Sequence, residues 1–93
     1  MKLRLTPRAE SELAEIASYL VVRNPQAARR VEDALQDAFE LIAAYPRVGN
    51  DLRDGVRRLA IPRYPYLIFY GVNEVDGAAD VFAVRHAARQ SED

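Results

Sequence analysis

The chain has 93 residues, 49% of them apolar, with no cysteine and a net charge of −1. That is enough apolar mass for one small core and argues against disorder. The absence of cysteine excludes a disulfide framework and thiolate metal sites. Neither an apolar leader nor a run of membrane-spanning length occurs, so one soluble, cytoplasmic domain spanning 1–93 is expected.

The small net charge conceals an asymmetry. Residues 7–44 hold four arginines against seven acids, whereas residues 47–89 hold seven arginines against five acids. Lys2 is the one lysine, so the positive charge is almost wholly guanidinium, the planar cation that pairs bidentately with carboxylate or phosphate. An excess of two charges is too weak to imply sequence-specific nucleic-acid binding.

Lys2 to Leu5 alternates charged and apolar residues, as a short half-buried strand does. Thr6 then offers an N-cap hydroxyl, and Pro7 suits the first helical position, where its missing N–H costs nothing. Ala9, Leu13, Ile16, Ala17 and Leu20 recur at helical spacing, predicting a helix over about 7–22. Asn24-Pro25 stops that helix and caps the next, about 25–44, whose seam runs through Val31, Leu35 and Ile42. The short link makes the pair an antiparallel hairpin. Leu13, Ile16, Leu20, Val31, Leu35 and Ile42 are the expected core, while Tyr19, Val22 and Phe39 are left over as exposed apolar residues.

Residues 46–55 are rich in turn formers and read as a loop. Three strands follow, about 56–61, 64–72 and 79–86, with a hairpin turn over 73–78. The predicted class is α+β in the order β-α-α-β-β-β. A helical hairpin covers one face of a mostly antiparallel four-stranded sheet, and the other face stays open for function.

His86 is the one histidine and has no cysteine to join it, and the loop carboxylates read as solvated turns, so no metal site or cofactor is expected. Ser11, Ser18 and Ser91 lack the glycines of a nucleophile elbow. Metal-free RNA cleavage is the one enzymatic option, needing a base, a cation for the phosphorane and an acid. Arg57, Arg58, Arg63, Arg85 and His86 are the candidates for those groups, His86 with Arg63 or Arg85 first among them. The plainer reading of His86 is that it ends its strand and hydrogen-bonds a backbone carbonyl.

Four segments carry a resemblance. Ala9-Glu10-Ser11-Glu12-Leu13-Ala14-Glu15-Ile16 resembles the first helix of ParE toxins, and Tyr45-Pro46-Arg47-Val48-Gly49 the loop after their second. Tyr64 to Tyr70 and Val84-Arg85-His86-Ala87-Ala88-Arg89 are similar to their C-terminal strands, with the terminal His-x-x-Arg. The chain thus resembles the ParE/RelE superfamily of type II toxin–antitoxin systems along nearly its whole length.

Two departures point to the ParE branch. RelE-type nucleases commonly carry a catalytic arginine three residues before the central-strand tyrosine, and Leu67 stands there, ahead of Tyr70. They also tend to carry an aromatic soon after the position of His86, and residues 87–93 contain none.

The resemblance implies a toxin that inhibits DNA gyrase by protein contact without catalytic residues and is neutralised by a ParD-like antitoxin. The alternatives are a ribosome-dependent mRNA endonuclease and a non-toxic adaptor that binds antitoxin and regulates the operon. The expected target-binding residues are Arg57, Arg58, Arg63, Arg85, His86 and Arg89, since arginine is enriched at interface hot spots. Arg85 stands where ParE relatives usually carry an apolar residue. Tyr19, Val22 and Phe39 are the expected antitoxin contacts.

Overall fold

The computed structural model describes residues 1–88. Its elements, in chain order, are β1 (Lys2–Leu5), α1 (Pro7–Arg23), α2 (Pro25–Ala44), β2 (Asn50–Arg53), β3 (Val56–Ala60), β4 (Tyr66–Asn73) and β5 (Ala78–His86). Both predicted caps form: Thr6 Oγ1 accepts the Ala9 N–H and Asn24 Oδ1 accepts the Ala27 N–H, each at 3.1 Å. Asn24 also closes α1, its own N–H donating to Leu20 O at 2.7 Å. One residue therefore ends the first helix and starts the second, which is why the link is so short.

The strands form one five-stranded sheet in the order β1-β5-β4-β3-β2. β1 pairs with β5 in parallel, with the intervening chain as the crossover, and every other pairing is antiparallel. The expected four strands are thus five. The extra one, β2, lies inside the predicted loop and pairs Asn50 with Arg58 and Asp51 with Arg57. All four of its side chains are exposed. It therefore carries no alternation, and only backbone pairing to β3 makes it a strand.

Val31, Leu35 and Ile42 are buried as expected, with Ile68, Tyr70, Val81 and Val84 of the sheet beneath them. Leu13, Ile16 and Leu20 pack on this core but stay half-buried, because a cleft of about 340 Å³ separates the two helices along that flank. Phe39, expected to be exposed, is a core residue at 8% exposure.

Strand register sorts the side chains between the two faces. Ile68 lies across from Leu59 and Val84, and Tyr70 across from Arg57 and Val81, all toward the helices. Leu67 lies across from Ala60 and Arg85, and Phe69 across from Arg58 and Ala83, on the face that carries no helix. The β4–β5 register jumps between Phe69↔Ala83 and Tyr70↔Val81, so Phe82 is the extra residue of a β-bulge.

Candidate functional site

The segment Pro46 to Gly49 is held by a clamp. The Tyr70 hydroxyl donates to Pro46 O at 2.7 Å and accepts the Gly49 N–H at 2.9 Å. A Cβ on Gly49 would sit 2.8 Å from that hydroxyl and 3.1 Å from Arg58 O, so only glycine fits. Arg57 completes the clamp, donating to Gly49 O at 2.8 Å and Arg47 O at 3.2 Å, with Asp51 at 3.9 Å. The guanidinium sequence reasoning assigned to a target is here committed to its own loop. Sequence alone had no signal for this, because the partners are backbone carbonyls.

At the other end of the sheet, a groove of about 620 Å³ runs between the hairpin and the end of β5. His86, Arg85, Glu12, Arg8 and Tyr66 line it. The His86 ring meets Tyr66 edge-on, with centroids 5.5 Å apart, and its Nδ1 accepts the Ala88 N–H at 3.1 Å. The histidine does hold backbone, but an amide rather than the expected carbonyl. That contact engages Nδ1 and leaves Nε2 as the ring's second polar atom.

Glu12 works at the edge of β5. β1 ends at Leu5, opposite Val81, and α1 covers the rest of that edge. The Thr6 N–H donates to Val81 O at 3.1 Å, the Thr6 hydroxyl to Phe82 O at 3.2 Å, and the Val84 N–H to Glu12 Oε1 at 2.9 Å. The other Glu12 oxygen lies 3.5 Å from Arg8 Nε and 3.9 Å from Arg85 Nε. Arg85 belongs to the open face by register and reaches over this edge toward Glu12.

The open face gathers Leu67, Phe69 and Ala60 between Arg58 and Arg85. The two arginines stand two strands and two residues apart, about 12 Å by sheet geometry. Farther along, Arg4 Nε donates to Asp80 at 2.6 Å and Arg4 Nη2 to Asp76 at 3.0 Å. The hydrogen bond from Arg4 holds the Asp80 carboxyl below the ordinary carboxylate value, against the opposing effect of desolvation. Asp80 of this face and Asp76 of the neighbouring turn are therefore already paired.

The remaining expected residues are dispersed. Arg63 is exposed between β3 and β4 at φ 74°, a left-handed conformation costing a non-glycine residue about 1 kcal/mol or more. Tyr19 and Val22 are exposed near the hairpin tip, where the Arg23 guanidinium sits 3.7 Å above the Tyr19 ring. Arg89 lies outside the described residues. The six predicted target residues thus do not form one cluster: Arg58 and Arg85 share a face, Arg85 and His86 line the groove, and Arg57 is half-buried against its own loop. Among the described residues no group of three metal-binding side chains occurs, and no helix is long and apolar enough to cross a membrane.

A helical hairpin on one face of a short twisted sheet, with the other face bare, is the fold of the RelE/ParE toxins. The chain superposes on the chromosomal ParDE toxin–antitoxin system of P. aeruginosa with a TM-score of 0.78 at 20% identity, covering 92% of this chain and 95% of that one. It superposes on the RelBE2 toxin–antitoxin complex of Mycobacterium tuberculosis with a TM-score of 0.65 at 22% identity, covering 91% and 88%. In sequence it is 32% identical over 90 residues to the Sinorhizobium fredii protein Y4kP, which bears a provisional toxin designation; the match covers 96% of this chain and 91% of that protein. Residues 3–91 match the family described as the ParE toxin of the type II toxin–antitoxin system parDE, and the chain belongs to that family.

Proposed function

We propose that this ParE-family toxin acts by protein contact on DNA gyrase and is held inactive by a ParD-like antitoxin. The observation that carries the reading is Leu67. It occupies the open face at the place where RelE-type nucleases aim a catalytic arginine, between Ala60 and Arg85. Removing one such electrostatic group from an active site typically lowers the rate by about a hundredfold to a thousandfold. What is left is an apolar surface with guanidinium groups at its margins, of the composition that binds proteins. Target contacts are drawn from Arg58, Arg63, Arg85, His86 and Arg89.

The partner reading is supported by the names of the structural neighbours, a ParDE system and a RelBE2 complex. On this chain, the exposed Tyr19 and Val22 are the antitoxin contacts. A cytoplasmic location follows from a gyrase target.

The test is gyrase supercoiling with purified toxin, run beside ribosome-programmed mRNA. Blocked supercoiling with intact mRNA is the expected result. Codon-dependent mRNA cleavage that His86→Gln abolishes, with gyrase unaffected, overturns the reading. Coexpression with the product of the adjacent small reading frame should yield a stable complex. Purification of the toxin alone in every such pairing defeats the antitoxin assignment.

A further inference from the structure

We infer that Phe82 is the apolar anchor of the open face, and that its partner is a protein surface presenting carboxylates beside an apolar socket. This rests on the contact reading above and names the side chain through which it works.

Three observations converge. The first is the bulge. Counting from Val81, which faces the helices, alternation turns residue 82 to the open face, and the register jump leaves Ala83 on that face too, opposite Phe69, so that Phe82 stands in the sheet without a cross-strand partner of its own. The second is Gly71, directly below. A Cβ there would lie 2.9 Å from Phe82 Cζ and 3.1 Å from Gly55 O, so the missing side chain is the floor on which the ring rests. The third is Thr6, whose hydroxyl accepts from Ala9 and donates to Phe82 O, tying the bulge to the start of α1. A large aromatic is therefore held on an open sheet face by a glycine, a bulge and a helix cap, and is still 40% exposed. Burying it in the chain's own core would need none of these devices.

The charges around it choose the partner. Asp80 and Asp76 are paired with Arg4, while Arg58 forms no salt bridge among the described residues. The uncompensated charge beside Phe69 and Phe82 is thus positive and sparse. Tracking a nucleic-acid backbone takes a row of cations, which the described residues of this face do not form. A carboxylate-bearing protein surface with an apolar recess meets both the ring and the arginine.

The experiment compares wild type, Phe82→Ala, Phe82→Gln and Arg58→Glu. Each is checked for folding by thermal melting, then titrated in gyrase supercoiling and against a labelled single-stranded oligonucleotide. Phe82→Gln keeps atoms over Gly71 should the alanine variant fold poorly. The half-inhibitory concentration is expected to rise at least about thirtyfold in both folded Phe82 variants, the size of a hot-spot loss. Arg58→Glu should move it in the same direction, and no variant should bind the oligonucleotide. Folded Phe82 variants that inhibit like wild type overturn the anchor while leaving the contact mechanism standing. Oligonucleotide binding weakened by Phe82→Ala overturns the protein partner in favour of nucleic acid. A wild type without effect on gyrase brings down the functional reading itself, and the anchor with it.

Discussion

Arg57 and Arg58 are neighbours in the chain, but β3 turns them to opposite faces of the sheet. On the covered side, Arg57 is 17% exposed and ties down the loop through two carbonyls. On the bare side, Arg58 borders Phe69 and forms no ion pair among the described residues. Identical side chains thus meet different surroundings, one tied to the chain's own backbone and the other without an ion pair among the described residues. The lesson is that an arginine count, even a local one, does not define a binding surface until strand register has divided it.

The comparison breaks most decisively in the core. Leu35→Ala on the covered side should cost about 2–5 kcal/mol, read as a lower urea midpoint with unchanged slope. An effect below about 1 kcal/mol would mean that the hairpin does not seat as described. Tyr70→Phe comes next. It leaves the buried Gly49 N–H and Pro46 O without their partner, at about 1–3 kcal/mol, and amide exchange at Gly49 should accelerate.

The third prediction tests the two arginines directly. Arg57→Ala should lower stability by about 1–2 kcal/mol, because its donors serve charge-assisted bonds in a half-buried site. Arg58→Ala should stay within about 0.5 kcal/mol of wild type, because the partly exposed side chain gives up no ion pair among the described residues. Equal losses from both would erase the distinction between the faces.

The smallest effect is electrostatic. Asp80 has a lowered pKa in the folded chain, so its contribution is fully present above the ordinary carboxylate value of about 3.9 and is lost as pH falls through the folded value. Urea midpoints followed downward from pH 5 should therefore fall less in Asp80→Asn than in wild type. An identical acid profile in the two would show that the Arg4 pair contributes nothing in solution.

Much of this arrangement was legible in the chain itself. Thr6-Pro7 and Asn24-Pro25 place both helix starts, because capping is a local matter of one side chain and the next few amides. The seam of Val31, Leu35 and Ile42 is legible for the same reason, since a helix repeats its buried face. Phe39 was misplaced although the signal was there: it stands four residues after Leu35 and three before Ile42, on the same buried stripe of α2. β2 escaped notice because its side chains touch nothing that sequence pattern records. The site was less legible than the fold. His86, Arg85 and Arg58 could be picked out by type, but the inward turn of Arg57 depends on strand register. The bulge at Phe82 is a matter of register too, and Thr6, whose hydroxyl holds its carbonyl, lies 76 positions away.

The bond from Val84 to Glu12 has a bearing on the life of the protein in a crowded cell. Beyond the end of β1, β5 would be a bare sheet edge, and bare edges template the stacking of one chain on another. A helix carboxylate seated on the strand amide, with arginines close on either side, makes that edge uninviting to a second strand. The carboxylate fills the hydrogen-bonding position that an added strand would need, and it does so from the second turn of the first helix.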